Sequence, residues 1–179
     1  DMTEQKKAEQ AALQEKYFAD TVINSLPGVF FMHDTTGKLV RCNKAYQEVF
    51  GLSDADMVSV YALDRFPEEE RGFILSKMEK IFTTGEQQSA EAHFLTKGGG
   101  RTPYSLLAQR LIVGGEVYLI GTGVDITERE RAEQQLKESE EKFRQIIGRA
   151  LVGIFRSTPS GQIVEGNPAL LRIMGCDSI

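Results

Sequence analysis

The chain has 179 residues, of which 41% are hydrophobic and 26% charged, and its formal charge is -5 at neutral pH. This composition excludes disordered, collagen-like and disulfide-scaffold proteins. The net negative charge argues against nucleic acid as a partner. Cys42 and Cys176 lack the spacing of a zinc site, so we expect reduced thiols and no metal. No apolar run reaches the length of a membrane helix, so we expect no membrane segment here and a cytoplasmic location.

The first predicted elements are a helix, a hairpin and a short helix. Residues 3–25 are rich in Glu, Lys and Gln and predict a helix, with apolar side chains at Leu13, Phe18 and Val22. Two β-rich runs, 29–34 and 38–42, flank a turn and predict a hairpin. Asn43 follows as the predicted N-cap of a short helix.

The next elements are one long helix and three strands. Pro67 and the acidic residues 68–70 predict the start of the long helix, which Gly85 ends. Strand patterns at 89–96, 102–113 and 116–125 are joined by glycine-rich turns. Short hairpin loops force antiparallel neighbours. We therefore predict an α+β fold with a five-stranded antiparallel sheet and helices on one face.

A second polar helix is predicted at 127–149, directly after the last strand. Thr127 and Glu130 have the spacing of a capping box, with Thr127 as the N-cap. Apolar residues of this helix include Leu136, Phe143 and Ile147. The strand and the helix should therefore be mechanically joined.

The sequence also contains an internal repeat. Residues 18–51 align with 143–175, at a period of about 125 residues, so that Asn43 matches Asn167. Asn167 is followed by Pro168 and is the predicted N-cap of a second short helix. The repeat is domain-sized, and we expect the chain to be a segment of a longer polypeptide.

Residues 25–127 resemble a PAS domain, because they contain five of its motifs in order. The residues from about 145 onward resemble the start of a second PAS domain. The motifs are Leu26-Pro27-Gly28-Val29, Asp34-Thr35-Thr36-Gly37, Asn43-Lys44-Ala45, Gly51, and Gly123-Val124-Asp125-Ile126-Thr127. The resemblance implies a sensory or interaction module of a signalling protein. It also implies a division into an N-terminal helix (1–25), a PAS domain (26–126), a linker helix (127–149) and a truncated second PAS domain (150–179).

PAS domains sometimes hold a ligand between sheet and helices, and we test that expectation on the residues. His33 and His93 are predicted on strands, which argues against haem, and solvent-facing or hydrogen-bonded histidines are the simpler interpretation. Cys42 precedes Asn43 without the motif of a photoactive flavin site. No cofactor is evident, although an unknown small molecule would fit. Candidate residues, which either fill the core or line a pocket, are Phe30, Met32, Tyr46, Phe50, Met57, Phe73, Met78, Phe82, Phe94, Tyr104, Leu106 and Tyr118.

Two functions follow from the resemblance, and no catalytic residues are expected in this segment. The first is a sensor that relays a small-molecule or partner signal through Asp125, Ile126 and Thr127 into the linker helix. The output domain, for example a histidine kinase of a bacterial two-component system or a diguanylate cyclase, would follow in the same chain. The alternative is a ligand-free dimerisation and spacing module of a multidomain signalling protein. We expect a homodimer through the flanking helices, which is compatible with both functions.

Overall fold

A computed structural model describes residues 2–175. The predicted elements are present, with bounds within about two residues of those expected. The elements are α1 (Met2–Ser25), β1 (Val29–Asp34), β2 (Leu39–Cys42), α2 (Lys44–Phe50), two 3₁₀ segments (Asp56–Ser59 and Ala62–Arg65), α3 (Glu68–Thr84), β3 (Gln88–Leu95), β4 (Arg101–Val113), β5 (Glu116–Asp125), α4 (Thr127–Arg149), β6 (Phe155–Ser157), β7 (Ile163–Gly166) and α5 (Pro168–Met174). The sequence patterns did not predict the 3₁₀ segments. The chain divides into two compact units between Thr127 and Glu128.

The first unit contains the predicted five-stranded antiparallel sheet, which confirms the fold class. The strand order is β2-β1-β5-β4-β3. β5 lies in the middle because it pairs with β4 on one side and with β1 on the other, where Gly121 lies opposite Phe31. The last strand of the unit therefore joins the first hairpin to the later meander.

The core lies on one face of this sheet. On β1, Val29, Phe31 and His33 are buried and alternate with half-buried residues, as expected for a strand with one covered face. A chain of aromatic rings crosses the covered face from the sheet to α2 and back. Its centroid distances are 6.2 Å for Phe31 to Tyr46, 4.5 Å for Tyr46 to Phe50 and 5.0 Å for Phe50 to Phe94.

Gly121 lets the Phe31 ring pack directly over the backbone of β5. A Cβ atom at position 121 would stand 2.5 and 2.6 Å from two carbons of that ring. Such distances are far below van der Waals contact, and the backbone carbonyl of Leu107 would also crowd the atom, at 2.9 Å. The glycine is required here by packing against its neighbour on β1.

A buried amide at Asn43 joins three segments of the first unit. Its Oδ1 accepts the N–H groups of Phe30 and Tyr46, each at 3.0 Å, and the second of these bonds caps α2. Its Nδ2 donates to the carbonyls of Gly28 at 2.9 Å and Ile23 at 3.4 Å. Asn43 is 2% exposed, so these bonds are shielded from water. The end of α1, the start of β1 and the start of α2 are therefore held together by one side chain.

Two further contacts hold the last turns of α1 against β2 and the start of α2, within the first unit. The Arg41 guanidinium donates to the Asp20 carboxylate at 2.5 Å, and the Lys44 N–H donates to Asn24 Oδ1 at 2.8 Å. By contrast, Leu13, Tyr17 and Phe18, nearer the start of α1, are all more than 65% exposed.

The second unit repeats the hairpin, the short helix and the asparagine network. Asn167 Oδ1 accepts the N–H groups of Ile154 and Leu170, at 3.0 and 2.9 Å. Its Nδ2 donates to the carbonyls of Ile147 and Val152, both at 3.0 Å. Each bond corresponds to one made by Asn43. Because β6 is exposed throughout, this unit buries little apolar surface of its own.

Replacing Asn43 with aspartate should destabilise the first unit by about 3 kcal/mol. Aspartate keeps the acceptor for Phe30 and Tyr46, but it loses both donated bonds and places a negative charge beside two carbonyl oxygens. Urea denaturation followed by tyrosine fluorescence measures this, because all five tyrosines precede Thr127. Asn167→Asp is the matched control and should leave the tyrosine transition unchanged. Equal midpoints for N43D and the unmodified chain would contradict the proposed role of Asn43.

The buried His33 should make the first unit less stable in acid. Burial lowers the pKa of His33 from 6.5 to about 4, so the unfolded chain binds this proton more tightly than the folded one. The full stability is therefore present above pH 6.5 and is lost as the pH falls toward 4. Between pH 7 and pH 5 the unmodified protein should lose about 2 kcal/mol more than His33→Phe. Urea titrations at the two pH values test this, and parallel losses in both proteins would refute it.

Candidate functional site

A cavity lies between the covered face of the sheet, α3 and the second 3₁₀ segment. The centres of water-sized molecules have about 60 Å³ of space within it. Most of its wall is apolar and comes from residues such as Phe31, Ile74, Ile81 and Leu119. An apolar concave site with a few polar groups is the usual form of a small-molecule site.

His33 brings a polar group into this apolar wall. Its side chain is 3% exposed, and neither Nδ1 nor Nε2 has a hydrogen-bond partner within the described chain. Its pKa, lowered to about 4 by burial, keeps the imidazole neutral at neutral pH. The expectation that the histidines would be solvent-facing or hydrogen-bonded is therefore wrong for His33. The reason is its register, because the side chain shares the inward face of β1 with Val29 and Phe31.

Two basic side chains also line the cavity. Arg65, at the end of the second 3₁₀ segment, has its guanidinium carbon 5.4 Å from the centre of the Phe50 ring, and its buried Nε has no partner among the described residues. Lys77 projects from α3 and places its Nζ 3.4 Å from Gln88 Oε1 on β3. Among the described residues that line the cavity, none is an aspartate or a glutamate.

Several of the candidate pocket residues lie at or near this cavity. Tyr46, Met78, Phe94 and Leu106 line it. Phe50 and Tyr104 belong to the buried core, and Met57 and Phe82 pack against that core while partly exposed. Whether these residues contact a ligand stays a prediction.

Four other candidate residues lie away from the cavity. Phe30 and Met32 alternate with the buried residues of β1, and Tyr118 precedes the buried Leu119 on β5, so all three face the opposite side of the sheet. Phe73 is 48% exposed on α3, where the Lys77 ammonium lies 5.6 Å from the centre of its ring. These residues are predicted as pocket residues because they are apolar. The side that each one faces depends instead on its position in the repeat of the strand or helix.

The cavity's polar residues, His33, Arg65 and Lys77, are not among the pocket residues predicted from the sequence. The predicted set contains only aromatic, methionine and leucine side chains. One signal was available for His33, because it continues the alternating pattern of Val29 and Phe31. No comparable signal marked Arg65, which lies on a 3₁₀ segment that the sequence did not predict.

His93 and Cys42 are not among the residues that line the cavity. His93 is hydrogen-bonded, as expected. Its Nδ1 is 2.7 Å from the Glu70 carboxylate, which also accepts the His93 backbone N–H. Cys42 is a half-buried thiol whose pKa is raised to about 11, chiefly by burial and secondarily by Asp54. It is therefore protonated at neutral pH and not an activated nucleophile. Cys176 lies outside the described residues.

The joint between β5 and α4 lies at Asp125, Ile126 and Thr127. Ile126 is 7% exposed, and its N–H donates to the Pro103 carbonyl at 3.0 Å. Asp125 Oδ1 accepts the N–H of Thr127, the first residue of α4, at 2.8 Å. The predicted capping box gave the N-cap role to Thr127. The structure instead has Asp125 satisfying the first helical N–H, because α4 starts one residue earlier than that motif implies.

Within residues 2–175, none of the helices has the length and apolarity to cross a membrane. In the same range, no three His, Cys, Asp or Glu side chains are grouped so that they could hold a metal ion.

Comparison with known proteins agrees with this geometry. Residues 23–131 match the family described as PAS fold. The sensor histidine kinase TmoS of Ectopseudomonas mendocina is 23% identical over 153 residues, which are 83% of this chain and 15% of that protein. A blue-light-activated histidine kinase of Brucella anthropi is 26% identical over 105 residues, 58% of this chain and 21% of that protein. The chain thus spans about a fifth or less of the length of these relatives.

A solved structure is similar in fold. The crystal structure of the PAS domain of an HTR-like protein from Haloarcula marismortui superposes with a TM-score of 0.57 at 16% identity, covering 68% of this chain and 99% of that one. The family match covers more than half of the chain, and the sheet order and helices of the first unit agree with it. The chain belongs to the PAS fold family.

Proposed function

We propose that the first unit is a sensory module that converts occupancy of its cavity into a change in α4. A sensory signalling role is supported by the family and by the kinase relatives. The observation that carries the relay is the path of β5. Leu119 lines the cavity, and the same strand ends at Asp125, whose carboxylate binds the first N–H of α4.

The proposed relay follows the backbone of β5 from the cavity to α4. From Leu119 to Asp125 the backbone is one strand, which pairs with β4 throughout and with β1 as far as Gly123, and Ile126 follows directly. A shift at the cavity that favours one arrangement of β5 would therefore bias the buried Ile126 and the first turn of α4. A ligand acts in this way only through its different affinity for the two arrangements.

Filling the cavity by mutation should imitate the signal without any ligand. Ala90→Val and Ala108→Val each add two methyl groups at its wall. We expect either variant to change amide hydrogen exchange in the first two turns of α4 at least threefold, as measured by mass spectrometry. Neither alanine is close in sequence to Asp125 or Ile126. An effect on α4 would therefore have to pass through the proposed relay.

The matched control is Gln109→Val, which lies beside Ala108 on the exposed face of the same strand. It should leave the exchange of α4 unchanged. If both cavity variants fold, by circular dichroism, and α4 exchanges as in the unmodified protein, the relay is refuted. The same conclusion holds if α4 exchanges like an unstructured peptide in every variant.

A second candidate function is dimerisation through the flanking helices. Exposed apolar side chains favour it: Leu13 is 67%, Tyr17 74% and Phe18 69% exposed on α1. On α4, considered by itself, Leu136 and Phe143 are 62% and 67% exposed. We propose that these residues pack against the same helices of a second copy, since apolar side chains at helical spacing are the usual basis of helix pairing.

Phe18→Glu should weaken such a dimer at least tenfold in Kd, which is about 1.4 kcal/mol, because it places a charge in an apolar contact. Light scattering over a range of concentrations measures the change, with a monomer mass of 19.9 kDa as reference. Gln14→Glu adds the same charge at an exposed polar position of α1 and should have no effect. An unmodified chain that remains monomeric at every concentration would eliminate this candidate.

We also propose that the second unit begins another PAS domain. The support is the Asn167 network, which reproduces each bond of Asn43. The output domain is proposed to be a histidine kinase, because both kinase relatives extend far beyond the matched region. The cytoplasmic location and the bacterial origin stay predictions.

A further inference from the structure

The cavity combines unpaired hydrogen-bonding atoms with positive charge. Both ring nitrogens of His33 and the Nε of Arg65 are buried without a hydrogen-bond partner in the described part of the chain. Buried polar atoms in native proteins are nearly always paired, and leaving one unpaired costs about 1–3 kcal/mol. Three such atoms on two residues of one cavity indicate that they bond to something other than the protein.

The two positive charges of the cavity indicate that its guest is negatively charged. Arg65 and Lys77 line the cavity, and the described lining residues include no carboxylate to neutralise them. Around these two cations the wall is mostly apolar, so their field is screened less than at an exposed surface. A neutral imidazole adds one N–H donor and one acceptor. The guest best matched to these donors is therefore an anion with oxygen acceptors.

The remaining wall specifies the rest of the guest. Phe31, Ile74, Ile81 and Leu119 present apolar surface, so an inorganic anion would leave that surface without a partner. The space open to the centres of water-sized molecules is about 60 Å³, well above the roughly 10–15 Å³ that one water needs, so the cavity has room for a small guest. A carboxylate with a small apolar body matches this lining, and a larger body would need Met78 to move, as its unbranched side chain can.

Lys77 on α3 and Gln88 on β3 both line the cavity. Lys77 and Gln88 face each other there across 3.4 Å, and both side chains are half-buried and long. Separating them requires only side-chain rotation, which takes picoseconds to nanoseconds for exposed groups. Lys77 can therefore turn toward a bound anion without movement of the backbone.

We propose that this cavity binds a small organic monocarboxylate, with its carboxylate held by Arg65 and Lys77 beside His33 and its short apolar body against α3 and the sheet. The proposal rests on the sensory function proposed above and names the class of ligand for it.

Titration calorimetry of the whole chain with butyrate and benzoate tests the proposal against the uncharged butyramide and benzamide. We expect at least one acid to bind at least tenfold more tightly than its amide. Lys77→Met should weaken that acid at least tenfold without changing the weak binding of the amide. Lys80→Met, on an exposed face of the same helix, is the matched control and should bind as the unmodified chain does. Arg65→Met should act as Lys77→Met does.

The outcomes separate this proposal from the sensory one. Equal binding of acid and amide, or no binding of either acid, overturns the carboxylate assignment. The comparison of acid with amide on the unmodified chain decides this even if Arg65→Met does not fold. If the acid binds as expected but α4 exchange does not respond to it, the ligand class stands and the relay fails. If neither acid binds but Ala108→Val alters α4, the relay stands and the ligand class fails.

Discussion

The buried amide of Asn43 is the constraint on which the first unit depends. Its four hydrogen bonds reach the last turn of α1, the residues on either side of the first β1 position, and the first turn of α2. An asparagine is needed because the site requires an acceptor for two N–H groups and a donor for two carbonyls on one short side chain. Aspartate supplies only the acceptor, and a hydroxyl is too small to reach four partners. Asn167 meets the same four requirements in the second unit, so the repeat in the sequence is a repeat of a hydrogen-bond network.

The core divides into a closely packed part and a polar part. On the α2 side, the aromatic rings from Phe31 to Phe94 contact one another, and Gly121 removes a side chain that would push Phe31 away. On the α3 side, His33, Arg65 and Lys77 interrupt the apolar wall. A core that served stability alone would not contain unpaired nitrogens, because each costs free energy when the cavity holds no partner for it. Local departures from good packing are expected where a protein binds something.

β5 connects these two features to the rest of the chain. It is the central strand, it contributes Leu119 to the cavity, and it continues into Ile126 and α4. Asp125 accepts the first helical N–H, and Ile126, between the strand and the helix, is buried. A strand that is paired on both sides passes on a displacement better than a loop does, because bending it would break ladder bonds. The proposed relay from the cavity to α4 rests on this position of β5 in the sheet.

The sequence by itself determined the order and type of the long elements, the five-stranded antiparallel sheet, the PAS resemblance and the two capping asparagines. These depend on local chemistry: alternation along strands, Asn and Gly at helix ends, and turn glycines between strands. The tertiary structure alone decided which residues meet in the cavity. Phe30, Met32 and Tyr118 are as apolar as the true lining residues but face the other side of the sheet, and Arg65 enters from a 3₁₀ segment with no clear sequence signal. Burial of a cation or an imidazole depends on what the rest of the chain packs over it, and a linear pattern contains no record of those long-range contacts.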